Sequence, residues 1–450
     1  MRGGSPTDRD VIRDLGDGLS LRRATIADAE KLATFHGSVH RDPGVEAPDE
    51  YVAAWVRDLV SGGHPTFEPG DFLIVEEAGS GTIVSSLCLI SQTWSYGGIP
   101  FGVGRPELVG TLPEYRNRGL VRAQFDLIHR WSAGRGQRLQ AITGIPYFYR
   151  QFGYEMGLTL GGWRQGYKPQ VPKLKEGEAE PYRLRPAAED DLPFIARVYE
   201  QSSRRYPVTC LRDEDLWRYE LTGKSEKNAS RRILCLIETE SGEPVGFLAH
   251  WSHLHRNQLG VDVYELVPGI SWLAVTPSVV RYLWQLGETW ATGDPKQEME
   301  SFALRLGVDH PAYQVFRARL PGVRPPYAWY VRVPDLPGFL RHVGPVLEQR
   351  LAGSPLAGHS GEIRISFYRG GVRLAFEDGR LAAAEPWHPA PEKAGDAAFP
   401  DLTFLQILFG YRSLEELDHA FADCWTEDDG ARALLEALFP KRPSHIWAIW

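Results

Sequence analysis

The segment Glu107–Phe125, ELVGTLPEYRNRGLVRAQF, concentrates residue types that handle a negatively charged group. Leu108-Val109 reads as a strand, and Pro113 stops it, because proline cannot donate to a β-ladder. Helical apolar spacing then begins at Leu120 and continues through Phe125, Leu127 and Ile128. Between strand and helix lie Arg116, Asn117, Arg118 and Gly119, followed by Leu120, Val121 and Arg122. Free backbone N–H groups and the helix dipole make such a helix start a phosphate site. Gly119 lets the backbone come close, and the three arginines add charge-assisted contacts. A solvated Arg-rich turn has the same composition, so the reading needs a second motif.

That motif is Tyr149-Arg150-Gln151-Phe152-Gly153-Tyr154. Arg116-x-x-Gly119-x-Val121 followed by Tyr149-x-x-x-Gly153-Tyr154 resembles the pyrophosphate loop and the later Tyr-x-x-x-Gly-Phe/Tyr element of the GNAT acetyltransferase superfamily. The loop departs from that pattern only at Val121, where the family has Gly or Ala. The resemblance implies acetyl-CoA as co-substrate. The backbone of Val109 and Thr111 would hold the pantetheine arm, and the loop from Arg116 to Arg122 the pyrophosphate. Tyr149 would protonate the departing thiolate. Taken alone, Tyr149 is an aromatic between Phe148 and Phe152, and the motif register ranks it above its neighbour Tyr147.

The elements that must position these groups occur twice. Leu21-Arg22-Arg23-Ala24 with Asp28 matches Leu184-Arg185-Pro186-Ala187 with Asp191 at an offset of 163. Thr111-Leu112-Pro113 matches Val275-Thr276-Pro277, and Tyr149-x-x-Phe152 matches Tyr313-x-x-Phe316, at an offset of 164. The pattern predicts a tandem duplication of one α/β domain. In the second copy Val280 and Leu283 replace Arg116 and Gly119, and Arg317 stands where Gly153 would be. That copy is expected to have lost its anion site and to support the first. Pro-containing stretches at 167–181 and 322–337 read as breaks. The expected organisation is a loose leader at 1–18, a catalytic domain at 19–166, a linker at 167–181, a degenerate copy at 182–330 and a third domain at 333–450. The third alternates polar and apolar residues around Gly370-Gly371, turns again at Asp378-Gly379, and ends in three helical segments, which is α+β patterning.

R-x-R-G-L-V-R-A, the duplication and the α+β ending together resemble the enhanced intracellular survival family, which joins two GNAT folds, each a mixed sheet flanked by helices, to a sterol-carrier-protein-like domain. The resemblance implies a homo-oligomer, a hexamer built from trimers. It implies an aminoglycoside-like polyamine or a lysine side chain as acceptor, attacked directly. It also implies that the terminal carboxylate of Trp450 takes the amine proton. The ending FPKRPSHIWAIW fits a packed tail, since burying each large apolar side chain gains roughly 2 kcal/mol. If Ile446, Trp447, Ile449 and Trp450 only seal the third domain, the base is Glu107 or an ordered water.

Phe35, His36 and Trp55, with His40, Asp42, Glu46, Asp49 and Glu50 nearby, are the candidate acceptor wall. Acidic and aromatic residues together suit a polycation, although a solvated acidic helix face has the same composition. The chain carries 50 basic against 58 acidic residues, a net charge of −8, which argues against a nucleic-acid partner. Cys88, Cys210, Cys235 and Cys424 match no zinc or redox spacing, and His36 and His40 have no third ligand, so no metal is expected. The first residues lack a signal-peptide core and no apolar run suits a membrane span, which points to the cytoplasm. The competing reading is a non-enzymatic lipid- or small-molecule-binding protein that uses the third domain.

Overall fold

The computed structural model describes residues 11–293, 297–390 and 394–450. The first unit runs β1 (Val11–Gly16), β2 (Leu19–Arg23), α1 (Ala29–Val39), α2 (Glu50–Val60), β3 (Phe72–Glu77), β4 (Ile83–Tyr96), β5 (Ile99–Thr111), α3 (Leu120–Gly134), β6 (Leu139–Ile142) and β7 (Glu155–Leu160). Alternation sorts β3 onto two faces. Phe72 and Ile74 pack with α1 and α2, while Leu73 and Val75 pack on the α3 side with Phe125 and Ile128. Residues 11–16, expected in a loose leader, instead form an edge strand antiparallel to β2.

The second unit runs β8 (Trp163–Tyr167), β9 (Tyr182–Pro186), α4 (Leu192–Ser203), β10 (Val208–Cys210), α5 (Glu214–Arg218), β11 (Arg232–Thr239), β12 (Pro244–Trp251), β13 (Gln258–Leu266), α6 (Trp272–Gly293), β14 (Ser301–Leu304), α7 (Pro311–Phe316), β15 (Gly322–Arg324) and β16 (Tyr327–Arg332). The two sheets have matching orders: β2-β3-β4-β5-β6-β16-β7 and β9-β11-β12-β13-β14-β8-β15. In each, the strand before the last comes from the other half of the chain. β16 lies between β6 and β7, and β8 lies between β14 and β15. The boundaries expected at 166 and 330 therefore cut through exchanged strands, and the supposed break at 322–337 holds two strands. Ala328, Trp329, Tyr330 and Val331 are all buried there, as a strand paired on both sides requires.

An ion trio recurs with the repeat, its arginine buried in the first unit and half-exposed in the second. Arg22 binds Asp28 at 2.8 Å and Glu76 at 2.7 Å. Arg185 binds Asp191 at 2.6 Å and Glu238 at 2.9 Å. Each aspartate also accepts the N–H of the residue three before it, Thr25 or Ala188, and so fixes the turn into its helix.

The third unit runs α8 (Leu336–His342), α9 (Gly344–Ala352), β17 (Gly361–Ser366), β18 (Gly371–Glu377), β19 (Arg380–Trp387), β20 (Ala397–Ala398), α10 (Phe404–Leu408), α11 (Leu414–Ala420), β21 (Trp425–Thr426) and α12 (Asp429–Leu438). Asp378 and Gly379, at φ 48° and 79°, form the two-residue turn between β18 and β19. The core of this unit is continuous with the first sheet through Trp94, Tyr96, Phe101 and Trp329. Residues 440–450 then run without regular structure back across the second unit into the first.

Candidate active site

Strand β5 is irregular where the chemistry is expected. Its pairing with β4 slips between Ser86↔Gly110 and Cys88↔Glu107, a β-bulge, and Leu108 takes φ 53°. On its other side β5 pairs with parallel β6 only at Val103↔Leu139 and Gly104↔Gln140. From Arg105 to Thr111 the backbone on that side has no strand partner, so β5 and β6 splay into a wedge. Val109 and Thr111 lie on the splayed segment. Thr111 Oγ1 shares a hydrogen bond with Ser85 Oγ at 2.8 Å.

The loop at the wedge mouth is exposed from Arg116 through Gly119. Asn117 and Gly119 sit at φ 62° and 74°, and Gly119 caps α3 without a side-chain hydrogen bond. The first-turn N–H groups of Leu120, Val121 and Arg122 thus lack a cap. Arg118 reaches Asp17 at 3.0 Å, and Arg122 reaches Gln151 at 3.0 Å. Phe125 stacks on Phe152 at 4.4 Å and ties α3 to the second motif.

Tyr149 is buried on a short 3-10 helix, Phe148–Phe152. Its ring lies 5.2 Å from Phe148, 5.9 Å from Phe125 and 5.6 Å from Tyr330 of the exchanged β16. Burial, then Glu107 and Tyr330, push its pKa upward, so the hydroxyl keeps its proton. Tyr147 is 68% exposed, and its N–H donates to the Tyr330 hydroxyl.

The tail enters the same unit. Ile449 O accepts from Gln92 Nε2 at 2.6 Å and Arg105 Nη1 at 2.7 Å. The Arg105 guanidinium lies 3.7 Å from the Trp450 ring centre and also binds Glu107. Trp450 meets Trp55 edge-on at 5.7 Å and joins the cluster of Phe35, Cys88 and Leu108. Glu107 and Trp450 are thereby both brought to Arg105. Phe35 packs on the bulge at Gly110. His36 departs from its expected place on an acceptor wall. It is wholly buried with Nε2 3.2 Å from Ser86 Oγ, and burial holds its pKa well below the ordinary value.

Sequence reasoning missed several neighbours. Arg105 was overlooked although it stands two residues before Glu107. His64 is buried beside Tyr219 at 4.6 Å, and burial, then Lys224, lower its pKa to about 4. The second unit also reaches this cleft: His253 stacks on Tyr51 at 4.2 Å, and Asn228 donates to Asp58 at 2.6 Å.

The second unit builds no matching loop. Helix α6 runs unbroken through Val280 and Leu283, both fully buried. The hydroxyl of Tyr313 is spent on the backbone, donating to Leu304 O at 2.6 Å and accepting from Leu306 N at 3.1 Å. Among the described residues all four cysteines are buried and free, and no group of three or more His, Cys, Asp or Glu is placed to share a metal ion. None of the described helices is long and apolar enough to cross a membrane.

Residues 20–157 match the family model described as an acetyltransferase (GNAT) domain. No curated protein sequence matches the chain. The fold is similar to that of an Enterococcus faecalis protein described as a probable N-acyltransferase, at 13% identity and TM-score 0.65, covering 96% of this chain and 100% of that one. It is similar to a GCN5-related N-acetyltransferase from Kribbella flavida, at 17% identity and TM-score 0.61, covering 96% and 98%. It is also similar to Eis1 from Mycobacterium abscessus, at 15% identity and TM-score 0.58, covering 96% and 99%.

Proposed function

With residues 20–157 as a GNAT acetyltransferase domain, we propose that the chain transfers an acetyl group from acetyl-CoA to a primary amine by direct attack. The observation that carries this reading is the adjoining of the splayed, bulged β5 to the uncapped start of α3, with Tyr149 and Trp450 nearby. The pyrophosphate lies on Arg116–Arg122 and the pantetheine arm along Val109 and Thr111. The neutral amine attacks the thioester carbonyl, the C–S bond breaks, and Tyr149 gives its proton to the thiolate. A carboxylate takes the proton that the amine loses. Two are candidates: Glu107, which binds Arg105, and, where the chain ends there, the α-carboxylate of Trp450, whose indole lies on the same guanidinium.

The acceptor is an aminoglycoside-like polyamine or a lysine side chain. Where the two units meet, Asp42 holds Arg256 and Asp49 caps α2 near His40 and His253; a polycationic acceptor would compete for this acidic charge. The second unit is a degenerate GNAT copy without a CoA site, and the third is sterol-carrier-protein-like. No observation favours a lipid-binding protein, since Phe399, Phe404, Phe409 and Phe439 fill the interior of the third unit. The test is thiol release from acetyl-CoA across a panel of amines, in wild type, in a chain lacking Trp450 and in one extended beyond it. The extended chain should bind acetyl-CoA and lose most acetyl transfer. Full transfer there assigns the base to Glu107, and no transfer to any amine by wild type overturns the reading.

A further inference from the structure

The end of the chain enters both units at corresponding places. Trp450 joins the cluster between α1, α2 and the first sheet. Trp447, three residues earlier and 6% exposed, joins the cluster between α4, α5 and the second sheet, with Ile195, Phe247 and Val263. Each indole carries a buried guanidinium. Arg212 lies 3.8 Å from the Trp447 ring centre, as Arg105 lies 3.7 Å from that of Trp450. Three successive carbonyls are held: Trp447 O and Ala448 O by Arg212 at 2.9 and 3.2 Å, and Ile449 O by Arg105.

The socket for Trp447 is the counterpart of the first unit's wedge. Strands β13 and β14 pair only as far as Val261↔Leu304 and then diverge. Val263, Glu265, Leu306 and His310 line a cavity at that divergence; α4 and the segment after it, from Tyr199 to Thr209, form a second wall, and His445 and Trp447 of the tail a third. Trp217 and Tyr199 face the indole at 5.8 and 6.0 Å. The fixing of Trp447 is strong because its indole is buried and its carbonyl is bound by an arginine that is itself paired to buried Glu220 at 3.2 Å.

We propose that Trp447 is a positioning residue for acetyl transfer: its seat in the second unit's wedge sets Trp450 against Trp55 and Arg105 in the acceptor cleft of the first. The second unit then has a defined task as the socket that registers the tail. The inference rests on the reading of the first unit as an acetyltransferase.

A double-mutant cycle of Trp447→Ala and Trp450→Ala tests it, with steady-state kinetics in amine and in acetyl-CoA. Each single substitution should lower kcat/KM for the amine about tenfold and leave the KM for acetyl-CoA unchanged. The double variant should be no worse than Trp450→Ala, because both act through one residue. Trp447→Phe, which keeps a ring for Arg212, should restore most activity and the slow hydrogen exchange of the Ile449 amide. If Trp447→Ala cannot be purified, Trp447→Leu takes its place in the cycle. Additive losses, or a rise in the acetyl-CoA KM with Trp447 substitution, overturn the inference. So does an unaffected Trp450→Ala enzyme, while wild-type acetyl transfer leaves the acetyltransferase reading standing. A wild type that transfers no acetyl group removes that reading instead.

Discussion

Arg105 and Ile449, 344 positions apart, are joined by a buried 2.7 Å hydrogen bond from the guanidinium to the carbonyl. The same guanidinium binds Glu107 and lies over Trp450. One buried cation on β5 thus fixes both groups that carry the candidate carboxylates.

Replacing Arg105 with methionine keeps most of its volume but strands Glu107 and removes a donor from Ile449 O. The expected loss of stability is about 3 kcal/mol, the usual cost of breaking a buried pair from one side. Acetyl transfer should fall further than acetyl-CoA binding. Urea unfolding and calorimetric titration with acetyl-CoA measure the two effects separately.

Gly119 occupies φ 74°, and a Cβ there would meet open space. Gly119→Ala should therefore cost only the left-handed strain, about 1 kcal/mol, and raise the acetyl-CoA dissociation constant modestly. Gly119→Trp should raise it at least about tenfold, because a large side chain fills the space beside the free N–H groups. Equal affinities in the two variants would place the pyrophosphate elsewhere.

Tyr149→Phe should lower kcat by about a hundredfold or more with little change in acetyl-CoA affinity. Burial and Glu107 raise the pKa of Tyr149, so its acid form persists as pH rises. No alkaline fall in kcat from this group should appear below about pH 10. Tyr313→Phe should leave kcat unchanged yet cost about 1–2 kcal/mol, because two backbone groups lose their partner. One acetyl-CoA per chain should saturate the protein.

Asp28 is held at a pKa of about 2, against an ordinary 3.8, by hydrogen bonds from Arg22 and Thr25 that outweigh its burial. A depressed folded-state pKa stabilises above the unfolded value and is lost as pH falls through the folded one. The pair should contribute about 2 kcal/mol at neutral pH and fade from about pH 4 downward. The stability gap between wild type and Asp28→Asn, read by urea unfolding at stepped pH, should close on acidification. A gap that stays constant from pH 6 to pH 3 would contradict the assignment.

The parts legible in the sequence were those written in local chemistry. Arg116 to Gly119 and Tyr149 stood out through the motif resemblance, and the structure ties the two motifs together through Phe125 and Phe152; the repeat of Arg22 and Asp28 at Arg185 and Asp191 proved to be a repeated ion pair. The exchange of β8 and β16 was not legible, because a strand's alternation records that it is buried but not which sheet receives it. Pro325 and Pro326 read as a break and in fact join two strands that belong to different sheets. His36 misled for a related reason: a histidine on a helix face carries no mark of whether that face meets solvent or β4. Arg212 was unreadable since its partners, Trp447 and Ala448, lie more than two hundred positions away.

The exchanged strands set a schedule for the chain during synthesis. When Leu160 has emerged, the first sheet still lacks the strand that belongs between β6 and β7, and that strand, Tyr327–Arg332, has yet to be made. At about 5–20 residues per second the gap stays open for roughly ten to thirty seconds. During that interval two strand edges that end up buried are exposed to any other nascent chain on the same message. The reciprocal edges at β14 and β15 arise under the opposite condition, since β8 has been waiting unpaired from the start. Assembly of the first half therefore waits on the second, and a ribosome that stalls between them leaves a chain with open edges and no means of closing them.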